Sequence, residues 1–168
     1  VMLDLAVQQI GAVLTPIYPT INALELEFIL NDASVKLVFV SDKDLYAKVQ
    51  SIRDKTPTVK AVYTFDYVQQ ALNWKEILNK GNETDKSSLK KIRDSIQYED
   101  LCTILYTSGT TGFPKGVMLS HKNILSNVKS SEEVFSQVGG DDPRALSFLP
   151  LNHIFERMVT YIYLFNGT

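Results

Sequence analysis

A chain of 168 residues, 45% apolar and 21% charged, has the size and composition of one globular domain with a core of its own. Its net charge of −2 gives no basic surface for nucleic acid, and no apolar run approaches the ~20 residues a membrane-crossing helix needs. The single cysteine, Cys102, rules out an internal disulfide, and one cysteine with two separated histidines argues against a zinc site.

Position 1 is Val and a helical pattern is already under way, so the chain reads as a piece of something longer. Leu3, Ala6, Val7 and Ile10 fall on one face of a helix expected over Met2–Val13, weakened towards its end by Gly11. Leu14–Tyr18 reads as a short strand, and Pro16 inside it argues for an edge or an early position. Asn22, three residues before Glu25, opens a second helix whose buried stripe is Leu26, Ile29, Leu30 and Ala33. Lys36–Val40 is an apolar strand. Asp42 caps the next helix, with Leu45, Val49 and Ile52 inward, and Val59–Phe65 is another strand. Strand and helix alternating at this pace indicate an α/β layer with a mainly parallel sheet flanked by helices. Residues 80–88 are polar and turn-rich and read as a surface excursion, followed by a short exposed helix over Leu89–Ile96 with a solvated basic face.

The most informative stretch is Leu105–Ser120. Thr107, Ser108, Thr110 and Thr111 bring four hydroxyls, while Gly109 and Gly112 let the backbone turn tightly and a ligand approach closely. Lys115, behind Pro114, adds one positive charge. Donors without bulk next to a cation suit phosphate oxygens; the plainer alternative is a polar hairpin turn. A Walker loop would need Gly-Lys-Ser/Thr opening a helix, but Gly112 is followed by Phe-Pro-Lys-Gly and then the strand-like Val117–Leu119. The loop therefore reads as a tip between that strand and Cys102–Tyr106, with Cys102 a buried thiol suited to a reducing compartment. Beyond it, Ser120 caps a helix from His121 to about Gln137, with Ile124, Val128, Ser131, Phe135 and Val138 inward. Residues 139–143 make a turn, Ala145–Leu149 a strand, and a helix from His153 onward carries Ile154, Met158, Ile162 and Phe165 on one side. By itself His153 is more often a helix-start or core residue than a functional one, and Glu156 with Arg157 reads as a surface ion pair worth little.

The ten residues from Thr107 to Gly116 closely resemble the signature loop of the adenylate-forming enzymes, the superfamily of acyl-CoA synthetases, luciferases and peptide-synthetase adenylation domains. Asp4–Val13 with Pro16-Ile-Tyr-Pro-Thr20, and Leu149-Pro-Leu-Asn-His-Ile-Phe-Glu-Arg157, resemble the segments on either side of that loop in long-chain fatty acid–CoA ligases. The resemblance covers most of the chain. It implies that residues 1–168 are the middle part of a large N-terminal AMP-binding domain, with the rest of that domain and a C-terminal lid lying elsewhere. It implies ATP-dependent activation of a fatty acid to an acyl-adenylate and then an acyl-CoA, with ATP, Mg²⁺ and coenzyme A required; the isolated chain is expected to be inactive. In such enzymes Thr107, Ser108, Gly109, Thr110, Thr111 and Gly112 would wrap the β- and γ-phosphates, Lys115 would balance the pyrophosphate, and Thr107 would contribute a Mg²⁺ ligand. His153 would lie near the acyl and α-phosphate region, and Arg157 stands where some members carry an aromatic gate, leaving a polar gate of His153 and Arg157. The expected partners are small molecules, not nucleic acid, and the expected location is cytoplasmic, with peripheral membrane association of the longer protein. Another carboxylate-activating enzyme of the superfamily, or a nucleotide-binding module without turnover, are the alternatives.

Overall fold

The computed structural model describes residues 1–108, 112–136 and 144–168. Contacts divide the chain into two compact units. One comprises Tyr18–Ser88 and Tyr106–Gly116; the other comprises Val1–Ile17, Leu89–Leu105 and Val117–Thr168.

In the first unit, three parallel strands run in the order β1 (Leu37–Val40), β2 (Ala61–Thr64) and β3 (Leu72–Asn73). The register sets Leu37 against Ala61 and Val40 against Thr64. Helices α2 (Ala23–Asp32) and α3 (Lys43–Gln50) bury Leu26, Ile29, Leu30 and Val49, which join Val40, Ile52, Val59, Val62 and Tyr63 in the core. Both starts are fixed as the sequence indicates. Asn22 Oδ1 accepts from the Glu25 N–H at 2.9 Å, and Asp42 Oδ1 accepts from the N–H groups of Asp44 and Leu45 at 3.0 Å. β1 and β2 are shorter than the apolar runs suggest, yet the ladder continues past both ends: Lys60 N–H donates to the Lys36 carbonyl and Phe65 N–H to that of Val40.

β3 and α4 (Lys75–Asn82) have no counterpart in the periodicity. The start of α4 is local: Asn73 Oδ1 accepts from Lys75 N–H and Glu76 Oε1 accepts from Asn73 N–H, a reciprocal pair in the Asn-x-x-Glu spacing. The polar stretch 80–88 is not a loop throughout. It holds the end of α4 and the first turn of α5 (Lys86–Ser95), where Asp85 accepts from the Ser87 and Ser88 N–H groups. An acidic cap outweighed the turn composition.

In the second unit, α1 spans Met2–Gln9 and stops four residues before the expected Val13. Gly11 takes φ +65, a conformation that ends a helix cheaply only at glycine. The strand expected over Leu14–Tyr18 shrinks to one parallel bridge between Leu14 and Thr103, because Pro16 has no N–H to extend the ladder. β4 (Leu101–Thr107) brings Cys102 into a core with Ile124, Val128, Tyr161 and Ile162, and Leu5, Leu119, Ile154 and Met158 pack on it. α6 (His121–Ser136) supplies Ile124 and Val128; the expected inner positions Phe135 and Val138, and the turn at 139–143, lie outside what is described. α7 (Ile154–Phe165) buries Ile162 as expected but leaves Phe165 51% exposed, and buries Tyr161, Arg157 and Glu156 instead. No strand forms at Ala145–Leu149: among the described residues no strand pairs with it, and its residues are exposed, where water can take the backbone groups that a ladder would otherwise hold.

Candidate functional site

β4 and β5 (Lys115–Ser120) pair with each other, and residues 108–114 join them. So short a connection cannot make a parallel crossover, so the strands run antiparallel and the joining residues form a tip. No helix begins at Gly112, which excludes a Walker arrangement. Thr107, Ser108, Gly112 and Lys115 are exposed at this tip; Gly109, Thr110 and Thr111 lie outside the described residues. Gly112 has φ +92 with nothing within 4 Å of where a Cβ would stand, so glycine is required there by the backbone angle and not by crowding. Lys115, the first residue of β5, is exposed where the strand leaves the loop.

The tip is held at both legs. Tyr106 donates its hydroxyl to Asp32 Oδ2 at 2.5 Å, and the Phe113 ring lies against Phe28 with centroids 5.1 Å apart. Burial, with the Asp32 carboxylate beside it, pushes the Tyr106 phenol above its ordinary value, so the hydroxyl stays protonated and remains a donor.

His153 and Arg157 belong to the other unit. His153 is exposed and caps α7: its Nδ1 accepts from the Phe155 N–H at 3.2 Å. A backbone N–H can only donate, so Nδ1 is the acceptor in this arrangement and a ring N–H lies at Nε2. The surface ion pair expected of Glu156 and Arg157 is not what forms. Both are buried, at 4% and 2% exposure, and each looks elsewhere. Glu156 accepts from the Ser147 hydroxyl at 2.5 Å. Arg157 forks onto Asp4, Nε to Oδ2 at 2.9 Å and Nη2 to Oδ1 at 2.8 Å, while Nη1 donates to Thr103 Oγ1 and Nε also meets the Tyr161 oxygen, both at 2.8 Å. Burial is the largest influence on Arg157 and would lower its pKa, but the hydrogen bonds and charge interactions with Asp4 and Tyr161 together outweigh it, so the pKa is raised and the guanidinium stays charged. Tyr161 and Gln8 also donate to Asp4, and Thr103 passes its own proton to the Leu14 carbonyl. The network thus ties α1, β4 and α7 together. The sequence gives Asp4 no visible partner, since Arg157 lies 153 positions away.

A family model for AMP-binding enzymes matches residues 1–168. The chain belongs to the AMP-binding enzyme family. This AMP-binding chain is 32% identical over 94% of its length to long chain acyl-CoA synthetase 4 of Arabidopsis thaliana, covering 25% of that protein. It is 33% identical over 99% of its length to fatty acyl-CoA synthetase A of Dictyostelium discoideum, covering 26%, and 33% identical over 92% to human long-chain-fatty-acid–CoA ligase 1, covering 24%. The chain therefore spans about a quarter of the length of the curated relatives it matches. Among solved structures, the luciferase-like enzyme of the nonluminescent mealworm Zophobas morio shares the fold at a TM-score of 0.75 and 19% identity, over 98% of this chain and 37% of that one. ATP-bound MatB from Rhodopseudomonas palustris aligns at a TM-score of 0.67 and 25% identity, over 97% of this chain and 30% of that one. The family expected from Thr107–Gly116 is the family found, with long-chain acyl-CoA synthetases among its relatives.

Proposed function

We propose that the protein to which this AMP-binding chain belongs is a long-chain fatty acid–CoA ligase, and that residues 1–168 are the part of its N-terminal domain that carries the phosphate loop. A fatty acid carboxylate attacks the α-phosphate of ATP, forming acyl-adenylate and releasing pyrophosphate; the thiol of coenzyme A then attacks the acyl carbon and AMP leaves. The observation that carries this reading is the exposed strand–strand tip with hydroxyls on one leg and Lys115 on the other.

The first half-reaction brings an anion to a polyanion, so neutralising and positioning charge matter more than covalent help. Thr107 and Ser108, with Gly109, Thr110, Thr111 and Gly112, hold the β- and γ-phosphates, and Lys115 faces the charge that leaves as pyrophosphate. An exposed threonine hydroxyl next to bound phosphates suits Mg²⁺, which prefers phosphate oxygens and few protein ligands, so Thr107 would hold the ion, which supplies further charge neutralisation. A fatty acid is already ionised at neutral pH, so no base is required. His153 offers an Nε2–H that orients the carboxylate, and Arg157 serves the gate by fixing the helix that His153 begins. Among the described residues no helix is long and apolar enough to cross a membrane, and we place the full-length protein in the cytoplasm with peripheral membrane contact.

The test is fatty-acid-dependent exchange of labelled pyrophosphate into ATP by the full-length protein, followed by thioester formation with coenzyme A. Exchange with palmitate but not with short or aromatic acids supports the reading. Exchange driven by another acid class transfers the assignment to that class, and ATP binding without exchange leaves a nucleotide-binding module.

A further inference from the structure

The two residues that grip the loop reach one stripe of one helix. Tyr106, next to the last residue of β4, bonds Asp32; Phe113, two residues before β5, meets Phe28 with its ring plane tilted 35°. Phe28 and Asp32 are four apart on α2 and so stand one above the other. This stripe lies beside the one formed by Leu26, Ile29 and Leu30, which are at most 5% exposed. One face of α2 is committed to the core, and the neighbouring face takes both ends of the loop.

Two local oddities are explained by this. Asp32 is the last residue of α2, where the carbonyl end of the helix repels a negative charge; helix stability alone favours almost any other residue there. Phe113 is 64% exposed in a loop whose other residues are small or polar, so it adds little to the core, and the ring it touches is Phe28. Both residues make sense as handles on the loop and not as contributors to stability.

We propose that the Phe28–Asp32 stripe of α2 is the seat of the phosphate loop, and that Phe28, Asp32, Tyr106 and Phe113 are positioning residues for adenylate formation. The inference rests on the phosphate role assigned above. A loop rich in glycine has much conformational freedom to lose when it closes on phosphates. Holding both legs removes part of that loss before ATP arrives. The bond from Tyr106 is charge-assisted, so it is the stronger of the two grips.

The experiment is single-turnover kinetics of the full-length protein, with ATP for adenylation and with synthetic acyl-adenylate for transfer to coenzyme A. Tyr106→Phe, Asp32→Ala and Phe28→Leu should each slow adenylation about 5- to 20-fold and raise the KM for ATP, while transfer stays within about twofold. Tyr106→Phe with Asp32→Ala should be no slower than the slower single variant, because both remove one bond, whereas Tyr106→Phe with Phe28→Leu should compound. Asp32→Ala should change the Tm little, because the exposed bond lost with Tyr106 is offset by removing a charge from the wrong end of a helix; slower chemistry in a protein of nearly equal stability is an outcome a purely structural residue does not give. Lys115→Ala belongs in the same series. If it slows adenylation while the α2 variants leave it within about twofold, the seat is refuted and the phosphate loop stands. If Lys115→Ala has no effect, the phosphate role fails and the seat with it. Equal slowing of both half-reactions, or a Tm that falls in step with the rate, also refutes the seat.

Discussion

Replacing Arg157 by Met keeps the aliphatic stem and deletes the guanidinium. Arg157 is 2% exposed and its partner Asp4 13% at the side chain, so the deletion leaves a carboxylate in a largely dry site. Breaking one side of a buried pair costs about 3–5 kcal/mol, because the remaining charge has lost its counter-ion. Gln8 Nε2 at 2.9 Å and the Tyr161 hydroxyl at 2.6 Å still donate to Asp4, which places the expected loss at the low end, about 3 kcal/mol. For a chain of this size each kcal/mol moves Tm by about 2–4 °C, so the drop should be roughly 6–12 °C. Removing both charges, Arg157→Met with Asp4→Leu, should recover much of it, since an apolar pair of similar volume has no desolvation to offset. Urea unfolding of the 168-residue chain followed by circular dichroism measures both. A single variant within about 1 kcal/mol of the parent sequence, or a double variant less stable than the single, would refute the assignment of a desolvated pair.

Two other outcomes follow from the same unit. Cys102 is fully buried and its thiol is pushed up by burial, with the Arg157 charge opposing. The folded chain therefore keeps a proton that the unfolded chain releases, so stability is complete below the unfolded thiol value near 9.0 and falls as pH rises above it. Unfolding curves between pH 7 and 10 should show this fall, Cys102→Ala should reduce it, and a thiol reagent should label Cys102 only after denaturant is added; fast labelling of native protein contradicts the burial. At His153, Asn retains a capping side chain, so His153→Asn should leave Tm nearly unchanged while slowing adenylation in the full-length protein. Unchanged adenylation would make His153 a cap alone.

Features written within a few residues were legible in the sequence. The caps at Asn22 and Asp42, the stripe Leu26–Ile29–Leu30, the strands β1 and β2 and the hairpin around the loop each depend on side chains close to the backbone they organise. Elements that depend on distant partners were not. Ala145–Leu149 has strand composition but, among the described residues, no strand pairs with it, and Leu14–Tyr18 has one bridge where a ladder was expected. α4 was missed because its signal is the Asn73–Glu76 exchange and not an apolar stripe. The chemistry of the loop could be read from its hydroxyls, glycines and Lys115. What holds it could not, because Asp32 and Phe28 lie 74 and 85 positions from the residues they meet. For the same reason Arg157 looked like a surface charge until α7 was seen to turn it onto Asp4.

The central claim is that Lys115 and the loop act on the phosphates of ATP during adenylation, and Lys115→Ala in the full-length protein tests it most directly. Among the described loop residues Lys115 is the one cation, and losing a charged contact made chiefly in the transition state should slow adenylation by about 30- to 1000-fold. Transfer from preformed acyl-adenylate to coenzyme A should be nearly unaffected, since pyrophosphate has already left. Single-turnover rates of the two half-reactions decide the matter: a loss confined to the first is the predicted result, and equal losses in both, or none in the first, would contradict the account.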